Sequence, residues 1–596
     1  MNNIYAGDSL KKFIFPVAAN REQWQTISNS PRGKDVADFF IENAEILLAE
    51  PVPQTSAELF MRFKRHGNRI DYEKIHFEKR QNLITLVLAE CFEYKGRFID
   101  KIIDYLWDIT SEHTWCLPAH IKDGSEDPLP FLQHEQIDLF ASATGLNLAF
   151  ILELLEPELA AVSPNIVKLT RRELMTRIIE PLEIRPFPFN FIKKVNNWRP
   201  WCSRNCLAVV LTVLKDQPER QKKLIDFFKA AMTDFIRIYS SDGCSNEGPN
   251  YWSVSVGTLT GFYELLQEMP DDTRKYAMMG DYITHTLMSK RYFASFSDCI
   301  ATTDTLPGGI CYRLGERTAN PRLMAMGYEY GNMESALKQR SSDIFTLISN
   351  IFWLPAEKQP ELPPVSKALK YYDRLQILYL KDGKMNIAAK RGFFSNHYHM
   401  DIGQFMIFCE SQPVVIDLGG TVYTLQTFSA DRYKNWILNS SGHNVPEFNG
   451  IGQLTAPPQD EKAAMVSNDE HKCVFKMDLT SAYPPEAKLK QALRTITYNY
   501  EDNSVEVFDQ WELMQDGNTV RIPLYTPDTV TKRGNGWQIA NMLLTADGDT
   551  QVKITKLDIS DAKVNKAWGN NIHKVELITE SGRQGSCKMR FTRLTK

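Results

Sequence analysis

The hydrophobic pattern of this chain changes period once, near residue 353, and that change restricts the fold to two successive architectures. Before it, DVADFFIENAEILLAE, RQNLITLVLAECFEY, RFIDKIIDYLWDIT, EQIDLFASATGLNLAFILELL, RNCLAVVLTVLK and TLTGFYELLQEM repeat apolar residues at three and four, as one face of an α-helix does. No fixed-length repeat is visible, so a ring or toroid of helical hairpins is expected rather than a solenoid of near-identical units. After it, LQILYL, MNIAAKRGFF, GQFMIFCE, QPVVIDL, KCVFKMDL, ALRTITYNY, SVEVFDQWEL, QVKITKLDI, HKVELITE and CKMRFTRL alternate or run apolar over strand lengths, with turn residues between. Many short strands without intervening helices predict an antiparallel sandwich. The stretch LPAEKQPELPPVSKA has neither period and is dense in proline and charge, which marks a linker. The expected fold class is therefore α+β multidomain: an (α/α) toroid over residues 1–353, a linker over 354–368 and an antiparallel β-sandwich over 369–596.

At 596 residues the chain is too long for one core. A hydrophobic content of 43% and a charged content of 24% are those of an ordinary globular protein. The net charge of −4 gives no global attraction to nucleic acid, while a local basic groove for an acidic polymer stays open. Ten cysteines lack CxxC spacing, and Cys202 and Cys206, one helical turn apart, suit packing; the thiols are expected to be reduced. The sequence MNNIYAGDSLKKFIFPVAAN lacks the order of a secretory signal, and no stretch is expected to span a bilayer. A cytoplasmic protein without a membrane partner is the expectation, or a periplasmic or secreted one if a leader was removed.

Chemistry-bearing residues concentrate in the second half. His397 and His399 in SNHYHMDIGQF, Asp417 in PVVIDLGG and His443 in SSGHNV lie in segments that read as strand-like and apolar. Buried imidazoles and carboxylates are costly unless something binds them, and a divalent metal does so economically. A His/Asp/His set suits zinc or manganese. Two histidines at i, i+2 on a strand would share a face. One strand histidine alone is more often a satisfied core or surface residue; the joint pattern carries the metal reading.

A second constellation lies in the helical half. VNNWRPW, residues 195–201, carries Asn196, Asn197 and Trp198; SDGCSNEGPNYWSVSVG presents Asn246, Glu247, Tyr251 and Trp252 among Gly243, Gly248 and Pro249. Loops on a rigid scaffold concentrate function. Aromatic rings offer faces to sugars, and carboxamides donate to carboxylates and hydroxyls. The plainer reading is a helix N-cap before a core tryptophan in the first segment, and a turn leading into a helix in the second.

Taken together, NNW, NEGPxYW, the HxHxD block, VVIDLGG and SxxHN resemble, in order and approximate spacing, the heparinase II/III-like family of polysaccharide lyases, from about Trp115 onward. The resemblance implies a helical toroid followed by a β-sandwich, and β-elimination on a uronate-containing polysaccharide, a glycosaminoglycan of chondroitin, hyaluronan or heparan type with alginate next. It implies that Asn197 neutralises the substrate uronate, that Tyr251 transfers the proton, and that His397 completes the active centre. It also implies that His399, Asp417 and His443 hold a structural metal. Trp198 stands where some members have a histidine, which puts the substrate preference of that branch in doubt.

Elimination requires removal of a proton alpha to a carboxylate, so the carboxylate charge must first be quenched by donors such as Asn197 and His397. A tyrosine of reference pKa about 10 is a poor base unless positive neighbours lower it. Tyr251 serves as base and acid if both protons lie on one sugar face; His397 is the base and Tyr251 the acid if they do not. Trp115 and His120 in HTWCLPAH, Trp198, Asn246, Glu247, Trp252 and Asp298 are candidate substrate contacts, as are Arg432, Tyr433 and Arg494, arginine being suited to carboxylate or sulfate. Two other function classes remain open at this point: a glycoside hydrolase using Glu247 with Asp242 or Asp298, with the metal able to activate water, and a non-catalytic carbohydrate-binding protein.

Overall fold

The computed structural model describes residues 13–594 except 122–123, 133, 185–190, 193–195, 305, 333–340, 356–366, 393–396, 461 and 549. Most of the expected linker, residues 354–368, thus lies outside the described residues. The chain divides into two compact units: Met1–Tyr239 with Ser253–Gly280 and Leu306–Glu361, and Ser240–Trp252 with Asp281–Thr305 and Leu362–Lys596.

The first unit is helical, and all six periodic segments form helices: Pro31–Ala49, Ile70–Glu93, Ile99–Ser111, Leu139–Val162, Trp198–Val213 and Thr258–Leu266. Ser30 accepts from the Gly33 N–H and Asp138 from those of Phe140 and Ala141, satisfying first-turn donors at two of these starts. Helix Leu139–Val162 packs against Trp198–Val213. Contrary to the expectation from sequence, it is long and apolar enough to cross a membrane by length and composition, and 72% of that window is buried. A helix surrounded by others is apolar on every side, which erases the amphipathic signature.

The second unit is built from antiparallel sheets. Strands Ala368–Tyr372, Ile377–Lys381, Met385–Lys390, Phe405–Cys409 and Gln412–Val415 form one sheet in chain order. An eight-stranded sheet is centred on Leu489–Asn499, Ser504–Leu513 and Gln584–Arg593, and a four-stranded one on Asn518–Thr526 and His573–Ser581. One apolar core takes residues from all three, among them Leu380, Ile407, Phe475, Ile496, Leu524 and Leu577. Strand Asn518–Thr526 contains Pro523, a residue that removes a ladder donor and hides a strand in sequence. Here the partner Glu447–Phe448 pairs only with Arg521 and Val520, so the proline lies beyond that short ladder.

The ten cysteines are buried, and among the described residues none forms a disulfide. Arg494, a candidate for substrate, points inward instead: its Nε and Nη2 donate to Asp509 at 2.7 and 2.8 Å, and Nη1 donates to the carbonyls of Gly403 at 2.8 Å and Asn444 at 2.5 Å. The alternating burial of Leu489–Asn499 puts residue 494 on the core face, where a charge needs this full set of partners.

Candidate active site

In the second unit the rings of Tyr251 and His397 stack, with centroids 4.2 Å apart and planes 17° from parallel. Tyr251 comes from the short helix Gly248–Trp252. The Tyr251 hydroxyl lies 2.6 Å from that of Tyr423. Tyr423 donates to Asp298 Oδ2 at 3.0 Å, and His397 Nδ1 donates to the same oxygen at 2.9 Å. The other oxygen, Oδ1, receives His399 Nε2 and Arg432 Nη2, each at 2.8 Å. Glu247 Oε1 stands 3.9 Å from His397 Nε2.

His397 and His399 are not on a strand. They lie in the loop between Met385–Lys390 and Phe405–Cys409, and His397 has a φ of +62°. Ser297, next to Asp298, has a φ of +60°. Left-handed backbone at non-glycine residues costs on the order of 1–3 kcal/mol and persists where surrounding contacts over-determine it. The Asp298 N–H donates to the His397 carbonyl, joining these two strained points. The glycines of VVIDLGG explain how the 298–299 backbone fits: a Cβ on Gly420 would sit 2.4 Å from the Asp298 carbonyl oxygen, and one on Gly419, whose φ is +77°, 2.7 Å from that of Cys299. Gly420 N–H in turn donates to the Cys299 carbonyl at 2.9 Å.

Burial opposes charge on Asp298, but hydrogen bonds from His397 and His399 and the neighbouring charges reverse that and hold its carboxyl well below the ordinary range. Tyr251 moves the other way: burial first, then the Asp298 carboxylate, push its phenol well above its ordinary value. Tyr423 is raised likewise, by burial and by Tyr251 and Asp298. The positive surroundings that would make Tyr251 a base are thus replaced by negative ones.

Behind this cluster His399, Asp401 and His443 are buried, with one ligand atom from each lying within 4.8 Å of the others. Among the described residues, His399 Nδ1, Asp401 Oδ2 and His443 Nε2 are buried without a hydrogen-bond partner. Buried polar atoms left so cost about 1–3 kcal/mol each, and three that converge fit a cation. Each candidate ligand is held from behind. His399 Nε2–H is spent on Asp298, His443 Nδ1 donates to Asp417 Oδ2 at 3.3 Å, and Asp401 Oδ1 accepts from Lys390 Nζ at 2.7 Å. Asp417, expected as the carboxylate ligand, is therefore behind His443: its Oδ1 accepts the Gly419 N–H and its Oδ2 the Gln404 amide, each at 2.8 Å. Asp401 is the carboxylate of the triad that could hold an ion, and the i, i+2, i+4 spacing of His397, His399 and Asp401 is the signal that could have pointed to it. Asn444 fixes this end by donating to the Phe405 and Ile416 carbonyls at 2.9 Å each.

The remaining expected contacts divide by unit. In the first, Asn197 is buried as the residue preceding helix Trp198–Val213, without a side-chain cap bond, and Asn196 Oδ1 accepts the Trp198 N–H at 3.2 Å. His120 donates through Nδ1 to Asp138 at 2.7 Å, and its ring centroid is 5.1 Å from that of Trp198. Trp115 is buried, its indole N–H on the Ile109 carbonyl and the Arg177 guanidinium over its ring, so it offers no face to a sugar. In the second unit Trp252 is fully buried, Asn246 is half-buried and Glu247 buried. Arg432 is engaged with Asp298 and the Thr427 and Tyr398 carbonyls, and Tyr433 donates to the Tyr398 carbonyl, so neither is presented as a free substrate contact. Asp298, with four donors on a buried carboxylate, is neither a substrate contact nor half of a hydrolytic pair, and Asp242 caps the turn at Ser240 and Cys244. Tyr423 had no distinguishing mark in the sequence beyond its place after DLGG.

No family model and no curated protein matches the chain. Among solved structures, a heparinase III is similar over 95% of this chain and 92% of its own, with a TM-score of 0.64 and 12% identity. Another heparinase III gives 0.59 over 98% and 94%, at 11% identity. A heparan sulfate lyase from Pedobacter heparinus gives 0.57 over 96% and 91%, also at 11% identity. The chain has the fold of these structures, a helical toroid unit and an antiparallel β-sandwich unit.

Proposed function

We propose that this chain is a polysaccharide lyase that cleaves a uronate-containing polysaccharide by β-elimination, with a heparan-type glycosaminoglycan as the preferred substrate and chondroitin, hyaluronan or alginate as alternatives. The observation that carries the reading is the stacked Tyr251–His397 pair, tied by Tyr423 and Asp298 into one hydrogen-bonded cluster. The fold, shared with structures described as heparinase III and heparan sulfate lyase, supports it.

In this reading the Asp298 bond keeps the proton of His397 on Nδ1, so Nε2 carries the lone pair that removes the C5 proton. The C5–H electrons form the C4–C5 double bond as the C4–oxygen bond breaks. Tyr251, held as a neutral phenol by its surroundings, gives its proton to the departing oxygen. Tyr423, whose own proton lies on Asp298, accepts from the Tyr251 hydroxyl at 2.6 Å and so positions that phenol. Asn197 is assigned to the substrate carboxylate. A divalent ion, zinc or manganese, is assigned to His399, Asp401 and His443, where it would supply positive charge that ties these segments together.

The test is ultraviolet absorbance during incubation with heparan sulfate, heparin, chondroitin, hyaluronan and alginate. A rise from the new double bond supports elimination and names the substrate class. New reducing ends without a rise would overturn the proposal in favour of hydrolysis.

A further inference from the structure

We propose that Asp298 is the positioning residue of this site, a single carboxylate that orients the imidazoles of His397 and of the metal-facing His399 at the same time. The kinetic part rests on the lyase reading; the metal part does not.

An ionised carboxylate only accepts, so each imidazole nitrogen facing Asp298 must carry its proton there. His397 Nδ1 at 2.9 Å and His399 Nε2 at 2.8 Å are thereby fixed as N–H groups, one on each oxygen. The consequence is opposite in sequence terms and equivalent in chemistry. His397 keeps Nε2 as an in-plane lone pair on the side of Glu247, beneath the stacked Tyr251 ring, and His399 keeps Nδ1 as its remaining nitrogen in the cluster with Asp401 and His443. The remaining capacity is filled by Tyr423 on Oδ2 at 3.0 Å and Arg432 on Oδ1 at 2.8 Å, so the carboxylate is held at both ends and cannot rotate to favour one imidazole. Its side chain is fully buried, its backbone N–H is bound to the His397 carbonyl, and the close approach of Gly420 leaves its backbone no room to shift.

An amide at this position keeps the shape but cannot accept at both ends. Whichever way it faces, its NH₂ group opposes two donors, so one imidazole must turn or change tautomer, and the other exchanges a charged acceptor for a weaker neutral one. If residue 298 merely anchored Arg432, an amide would lower stability without touching either function.

The experiment is Asp298→Asn, read by two independent assays. The zinc affinity of chelator-stripped protein, measured by competition with a chromophoric chelator, is expected to fall by about tenfold or more, the range for partners behind a metal ligand. Turnover of the substrate found in the elimination assay is expected to fall about a hundredfold with KM changed by less than about threefold, since a base is lost while binding is kept. Zinc affinity within about twofold of wild type overturns the proposal. If wild-type protein eliminates no substrate, the lyase reading fails while the zinc assay still decides the role of Asp298. A second variant, Tyr423→Phe, removes one donor from Oδ2 and is expected to lower kcat about tenfold while leaving zinc affinity unchanged. An unchanged kcat there overturns the shared arrangement on Oδ2 even if the asparagine variant does not fold.

Discussion

Loading zinc or manganese into the proposed His399–Asp401–His443 site has a calculable effect on stability. Each of the unpartnered atoms His399 Nδ1, Asp401 Oδ2 and His443 Nε2 carries a desolvation cost that a bound cation offsets. Zinc at a hundredfold over its dissociation constant stabilises the folded state by about 2.7 kcal/mol. For a unit of this size, a kcal/mol moves the melting temperature by roughly 2–3 °C, so reloading is expected to raise the transition of the second unit by about 5–8 °C. The assay is differential scanning calorimetry of protein dialysed against chelator, then with zinc or manganese added. His443→Ala is the control and should abolish the difference, because it removes a ligand that the neighbouring bonds of Asp417 cannot replace. Equal melting temperatures for stripped and reloaded wild type would refute the metal assignment, and a shift that survives His443→Ala would place the ion elsewhere.

Tyr251→Phe should lower kcat by about two to four orders of magnitude in the elimination assay with an unchanged melting curve, and retained turnover would remove Tyr251 from the mechanism. Because burial and Asp298 push the Tyr251 phenol up, its proton stays in place through pH 10, and kcat/KM should show no tyrosine-type loss below that value. Arg494→Met leaves Asp509 as an uncompensated buried charge and should cost about 3–5 kcal/mol in urea unfolding; a loss under about 1 kcal/mol would contradict the buried pair. In the first unit, burial and then the Arg80 charge lower His76 from 6.5 to about 3, while Arg80 overcomes the burial of Glu112 and lowers it from 4.5 to about 2. Both groups bind protons more weakly folded than unfolded, so stability should fall as pH drops from 6.5 through about 2. Denaturation midpoints across that range should flatten between pH 6.5 and 3 in His76→Phe, and an unchanged slope would refute the role of His76.

The class and order of the elements were legible because period is a local property. Apolar residues at three and four mark a helix and alternation marks a strand, whatever they pack against, and all six helical and all ten strand segments quoted from sequence contain the expected element. Other elements, among them helix Pro218–Ile238 and strand Ala464–Asn468, were not among those segments, and two cases show where period misleads. Strand Asn518–Thr526 was hidden by Pro523, and helix Leu139–Val162 reads as membrane-like because burial on every side removes its polar face.

At the site, sequence alone determined which residue types gather: the histidines of HYH, the histidine of SGHN, the carboxylate of IDLGG and the tyrosine of GPNYW. It could not determine which atom faces which. Asp298 and Tyr423 are distant in sequence from His397, Tyr251 is more distant still, and only tertiary structure brings Tyr423 and His397 to one oxygen of Asp298. The preference for Asp401 over Asp417 as the candidate carboxylate comes from there as well. Both are buried carboxylates near the histidines, but the oxygens of Asp417 are taken by Gly419, Gln404 and His443, whereas Asp401 keeps one oxygen unpartnered. A spacing records that a ligand-type residue is present; whether its lone pair is available depends on the donors that folding places around it.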